Sequence, residues 1–122
     1  MTYNLKIENR GDYLLLTATG TRSMDSVLSM TKDVLAACAR EKVKEALVDV
    51  RAMIGKLTTM EAYDLSQHHF PVMRDLNVIV RLVIVDQKEN EARYRFLETV
   101  AINRGFNIRY CNNPKEGAEL LK

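Results

Sequence analysis

Apolar and polar positions alternate at the start of the chain, with Tyr3, Leu5 and Ile7 set against Asn4, Lys6 and Glu8. A period of two predicts a half-buried strand. "NRGD" follows as a turn, and Tyr13 to Thr19 ("YLLLTAT") predicts a second strand. So short a link favours an antiparallel hairpin, closed by Gly20. The period then lengthens. Met24, Val27, Leu28, Thr31, Val34, Leu35 and Cys38 recur at helical spacing, with Asp25, Ser29, Lys32 and Asp33 on the opposite face. This predicts an amphipathic helix over 23–40, capped by Ser23, that buries Val27, Leu28, Val34 and Leu35. Ala46 to Val50 is a short, almost continuous apolar run, the pattern of a strand covered on both faces in a parallel sheet.

Thr58 and Glu61 have capping-box spacing, so a second helix is expected from Thr59. Pro71 is expected to end it by Phe70. "VIVRLVIVD", residues 78–86, predicts a strand at Leu82 to Val85. A third helix from Asn90 is expected to bury Ala92, Phe96, Leu97, Val100 and Ala101, with Gly105 just past its end. "FNIRYC" alternates as a last strand, and Asn113, Pro114 and Glu116 form the opening of a last helix. The expected fold class is α/β. It is a single-layer, mostly parallel five-stranded sheet with an N-terminal hairpin and about four helices, in the order ββαβαβαβα. Its 122 residues fit one domain over 1–122.

Composition narrows the function classes. A formal charge of +2 and interleaved charges such as "REKVKE" and "KENEARYR" predict no strong field for nucleic acid or anionic lipid. No apolar run has the ~20 residues of a membrane span. The polar start "MTYNLKIENRGD" does not resemble a secretory signal, so a cytoplasmic location is expected. Two cysteines, Cys38 and Cys111, make no disulfide framework, and both are expected as reduced thiols.

The sequence carries no Ser-His-Asp set, Gly-rich phosphate loop or paired-carboxylate motif, so no catalytic residue and no cofactor is assigned. Asp49 and Asp86 fall at the C-terminal ends of predicted strands, where ligands settle in open α/β sheets. The plainer reading is that each meets a basic side chain such as Arg51 or Arg81. His68 and His69 are adjacent, and neighbours on a helix point about 100° apart. They are therefore expected not to share a metal, and no metal site is assigned. "RGD" at 10–12 reads as a hairpin turn. Met53, Ile54, Leu57, Met60, Phe70 and Met73 cluster around the second helix. They read either as core or as an apolar surface for a partner or ligand.

Several segments carry a resemblance. "YLLLTATG" before "TRSMDSVLSM", then "ALVDVRAMIGKLTTM", then "RLVIVD…FLETVAINRGFNIRYCNNPKEGAELL" resemble in order the STAS domain of the SpoIIAA-like anti-sigma-factor antagonists. They also resemble the related small bacterial SEC14-like, or CRAL-TRIO-like, proteins. The STAS likeness implies a non-catalytic regulatory module that docks another protein, such as an anti-sigma-type kinase, with a homodimer left open. It also implies a phosphoacceptor at the start of the second helix, where the family reads Asp-Ser-Ser-Gly. Counted without a gap from Asp49, that motif falls on Leu57, Thr58, Thr59 and Met60. The two hydroxyls are kept as Thr58 and Thr59, while the acid and the glycine are replaced. A hydroxyl at this place also serves as a helix cap. The SEC14-like likeness implies instead a small lipid- or metabolite-binding domain.

Overall fold

The computed structural model describes residues 3–122. Strands β1 (Tyr3–Asn9), β2 (Leu14–Thr21), β3 (Glu45–Ile54), β4 (Arg81–Val85) and β5 (Ile108–Cys111) form one sheet in the order β1-β2-β3-β4-β5. β1 and β2 are an antiparallel hairpin, and every later pair is parallel. Helix α1 (Met24–Glu41) follows β2. After β3 come α2 (Thr59–Asp64), a π-turn (Leu65–His69) and α3 (Phe70–Leu76), which together make one helical stretch. Helix α4 (Glu91–Asn103) follows β4, and α5 (Pro114–Leu120) follows β5. With residues 59–76 taken as one unit, four helices alternate with the strands in the expected order.

Each parallel crossover steps one strand in the same direction. Right-handed crossovers taken this way put their helices on a single face of the sheet. The alternation of the strands shows it. Ala46, Val48, Val50 and Leu82 face a large core shared with Met30 and Val34 of α1, Phe70 of α3 and Leu97 of α4. Leu47, Val83, Val85 and Cys111 face the other way, onto Leu121 beside α5. β3 is thus covered on both sides, as its unbroken apolar run requires. α5 comes close to the sheet through Gly117. A Cβ there would lie 2.6 Å from Leu47 Cδ1 and 3.2 Å from Cys111 Sγ.

The helix starts follow the sequence. Ser23, Thr58 and Asn113 each accept the backbone N–H three residues on, from Ser26, Glu61 and Glu116. Gly105 follows α4 at φ +80°, the left-handed position that favours glycine.

Four expectations are corrected. β3 runs on to Ile54, because its pairing with β2 continues to Thr21↔Ile54 past an irregularity at Thr17/Thr19. On α1 the buried stripe is Met30, Val34, Ala37 and Cys38, and Val27, Leu28 and Leu35 are only partly covered. On α4 Leu97 and Ala101 are buried, but Ala92 and Phe96 face solvent. That helix carries apolar residues on more than one face, so spacing alone does not choose the inner one. Pro71, finally, does not end the second helix. The Phe70 N–H reaches back to the Leu65 carbonyl, five residues away. The wider turn absorbs the ring, and Pro71 lies in the first turn of α3, where a missing N–H costs nothing.

Both cysteines are free and buried. Burial pushes the Cys38 thiol up from 9.0 to about 11, and raises that of Cys111 as well. Above about pH 9 the unfolded chain therefore binds fewer protons than the folded one, and stability falls as pH rises. We expect both thiols to resist labelling in the native protein and to react on denaturation. Urea unfolding at stepped pH should show stability declining between pH 9 and 11, and Cys38→Ala should flatten the decline. A profile unchanged by Cys38→Ala would refute this assignment.

Candidate functional site

Arg22 is the first residue after β2, and Asp86 is the first after β4. The Arg22 side chain passes over β3, which lies between these strands. Its Nη2 donates to the Val50 carbonyl at 3.1 Å and lies 3.1 Å from Asp86 Oδ2. The two side chains are 8% and 1% exposed, so this is a buried ion pair. The N–H is not aimed along the contact, and Oδ2 accepts no directed hydrogen bond among the described residues, while Oδ1 accepts the Gln87 N–H at 2.7 Å. The Tyr110 hydroxyl lies 3.2 Å from the Gln87 carbonyl, to which it donates, and 3.4 Å from that of Asp86. Tyr94 stacks on Tyr110 with ring centres 5.1 Å apart and planes within 4°. Burial pushes the Tyr94 phenol far above its usual range, and the Asp86 carboxylate beside it adds to the shift. Tyr94 is therefore a neutral hydroxyl at any ordinary pH.

Beside this network, between the helices and the sheet, is a cavity of about 120 Å³. Its body is apolar. Val48, Val50 and Leu82 come from the strands, and Leu65, Phe70 and Met73 from the helical stretch 59–76. Its polar lining is Arg22, Lys56, Arg93, Asn90, Tyr94 and Thr31. Three of these carry positive charge, and no carboxylate lines the cavity among the described residues. Arg93 Nη1 is buried and has no hydrogen-bond partner among the described residues.

The π-turn builds part of this wall. Leu65, Phe70 and Met73 are spaced five and then three apart, which a regular helix would spread around its axis. One wide turn returns Phe70 to the face of Leu65. π-turns of this kind recur at functional sites.

The residues singled out from sequence divide. Leu57, Phe70 and Met73 are buried and line the cavity. Met53 is buried but does not line it. Ile54 and Met60 are 72% and 76% exposed, so the six do not form one surface. Thr58 and Thr59 are both exposed. Thr58 Oγ1 accepts the Glu61 N–H at 3.1 Å, and Glu61 Oε1 accepts the Thr58 N–H at 2.9 Å, the reciprocal box expected from the spacing. Asp49 and Asp86 do not meet. Asp49 points to the α5 face and is held by Arg51 through contacts of 2.8 to 3.2 Å. Arg81 serves neither aspartate, for it pairs with Glu45. His68 and His69, expected to diverge, both reach Asp64, with Nε2 atoms 3.6 and 3.8 Å from its oxygens. The π-turn that contains them changes their relative direction. No group of three metal-binding side chains occurs among the described residues.

Arg22, Lys56, Arg93 and Tyr94 carry the site's polar character and were not singled out from the sequence. Tyr94, Leu97 and Ala101 do form a three-and-four stripe on α4, which would have placed Tyr94 and its neighbour Arg93 inward. A second hollow of about 430 Å³ lies over β4 and β5. Its arginines Arg81, Arg95 and Arg109 are each paired with a glutamate, so it offers no unanswered positive charge among the described residues.

No protein-family model matches the chain, and no curated protein matches it. Solved structures do. An uncharacterised protein of the DUF3478 family from Shewanella loihica PV-4, with a SpoIIAA-like fold, is 20% identical; the match covers 99% of this chain and 94% of that one, at a TM-score of 0.58. An anti-sigma factor antagonist from Mycobacterium paratuberculosis is 10% identical, with 99% and 96% covered and a TM-score of 0.58. The chain has a SpoIIAA-like fold. No helix among the described residues is long and apolar enough to cross a membrane.

Two predictions follow from the geometry. Asp86→Asn leaves the Arg22 guanidinium buried without its counter-charge, and should cost about 3–5 kcal/mol in urea unfolding. The double variant Arg22→Met/Asp86→Asn should recover part of that loss; a double variant no better than the single one would mean the pair is not coupled. At Thr58, replacement by Ala should cost about 1 kcal/mol, whereas Thr58→Asp, also a good cap at a positive helix end, should stay near neutral.

Proposed function

We propose that this protein is a non-catalytic regulatory module of the STAS type, and that a small apolar ligand held in the cavity is its input. The single observation that carries this reading is the cavity itself, apolar in body and fringed by polar side chains at one side. The two strand-end carboxylates favour no catalytic role, since each is held by an arginine on a different side of the sheet. The fold shared with an anti-sigma factor antagonist supports an output through another protein. Ile54, Met60 and Tyr63, close along the chain and exposed, are the apolar side chains offered for that contact. In this reading Thr58 acts as the cap that fixes the start of α2 rather than as a phosphoacceptor.

This reading joins the two alternatives that the sequence left open. Of the apolar residues around the second helix, Leu57, Phe70 and Met73 belong to the ligand side and Ile54 and Met60 to the partner side. A dimer of this chain would be one form of that partner contact.

The test is direct. In an amide NMR titration, 1-hexanol should shift the signals of Leu57, Leu65 and Leu97 in a saturable way. Native mass spectrometry after gentle purification should show a retained small molecule. Val50→Phe, which extends into the cavity from the sheet, should abolish the response while the protein stays folded. A clean apo mass together with no saturable shift at those residues would overturn the reading.

A further inference from the structure

We infer that the ligand is a small organic anion, a carboxylate with a compact apolar tail, whose head is taken by Arg93 and Lys56 beside the Arg22–Asp86 pair. This rests on the cavity being the binding site, and it adds the class of molecule.

Charge is the first argument. Three cations line the cavity, and no carboxylate does so among the described residues. Asp86, just outside, answers Arg22 at 3.1 Å. Arg93 and Lys56 remain as two positive groups at one side of an apolar chamber. A neutral ligand would leave them without a counter-charge, and a cationic one would add to the repulsion.

Satisfaction is the second. Arg93 Nη1 is buried with no hydrogen-bond partner among the described residues. A guanidinium is acceptor-free and presents five N–H donors in a flat fork, so only an acceptor can satisfy it. A carboxylate offers two oxygens in matching geometry. Asn90 and the neutral hydroxyl of Tyr94 line the same cavity and can donate to the same head. Lys56 is exposed, on the loop before α2, so it can meet the head from the solvent side.

Size is the third. The cavity of about 120 Å³ is close to an engineered apolar cavity of roughly 150 Å³ that takes benzene. The tail is therefore about one small ring or a short alkyl chain, held by Leu65, Phe70, Met73 and Leu97. A long acyl chain does not fit the enclosed part. A free, small anion suits this chamber better than a lipid drawn from a bilayer.

The experiment compares matched probes on the whole chain by NMR titration: hexanoate, 1-hexanol and hexylamine. Hexanoate should bind at least tenfold more tightly than 1-hexanol, and hexylamine should bind most weakly. The preference for hexanoate should shrink as salt is raised. Arg93→Gln and, separately, Lys56→Gln should each cut the preference for hexanoate over 1-hexanol at least threefold. Lys56 is exposed, so its variant keeps the test valid if Arg93→Gln perturbs folding. Equal binding of hexanoate and 1-hexanol, or tighter binding of hexylamine, would overturn the anion inference and leave the cavity reading standing. No saturable response to any of the three would overturn both.

Discussion

A guanidinium and a carboxylate buried together hold the C-terminal edge of this sheet. Taking either ion out of water costs several kcal/mol, so the arrangement persists only if each is answered in place. Arg22 is answered by Asp86 and by the Val50 carbonyl, and Asp86 by Arg22 and the Gln87 N–H. These groups come from β2, β3 and β4 and the residues that directly follow them. The pair can form only when β2, β3 and β4 lie side by side in the observed order and register. The ion pair thus ties strand order and register to the region where the site lies.

From Asp86 the constraint passes outward. Tyr110 of β5 holds the carbonyls that follow β4, Tyr94 of α4 stacks on Tyr110, and Arg95 lies over the Tyr110 ring at 5.2 Å. Tyr94 is next to Arg93, whose guanidinium is the buried group left without a partner among the described residues. The orientation of α4 is therefore set by the same network that neutralises Arg22. That is why three positive groups can stand at one cavity with a single aspartate close by. Two of the charges are free to act because the third has been dealt with locally.

The architecture was legible in the sequence because it rests on short-range signals. Ser23, Thr58 and Asn113 announce helix starts within three residues, Gly105 announces an end, and the run Ala46 to Val50 announces a strand covered on both sides. The site was only half legible. Leu57, Phe70 and Met73 stood out as apolar residues near one helix, but so did Ile54 and Met60, which face solvent. The π-turn brings Phe70 and Met73 to the face of Leu65, and its trace in the sequence is the spacing of five between Leu65 and Phe70 followed by Pro71. Read against a period of 3.6, that spacing looks like the end of a helix. The Arg22–Asp86 pair left no local trace, since charged residues just after strands are common and their partner is fixed only by strand order. Arg93 was hidden for a different reason. α4 is apolar on several faces, so its apolar spacing does not single out the one charged residue that turns inward.

The one-sided placement of the helices also explains where a cavity can exist. All three crossover helices lie on one face, so the sheet has no switch point, the usual position of a ligand crevice in open α/β folds. The other face is closed by α5, drawn close through Gly117. The apolar space for a ligand lies under the crossover helices. The stretch 59–76 is the cover with the most backbone irregularity there. Pro71 removes a donor, and the π-turn replaces the regular ladder over Leu65–His69. A helix with these features can shift by a fraction of a turn at lower cost than a regular one. Met60 and Tyr63, exposed at its start, lie on the same stretch as Leu65, Phe70 and Met73 inside. A ligand pressing on the inner residues would thus move the outer ones, and the proposed input and output would be two faces of one imperfect helix.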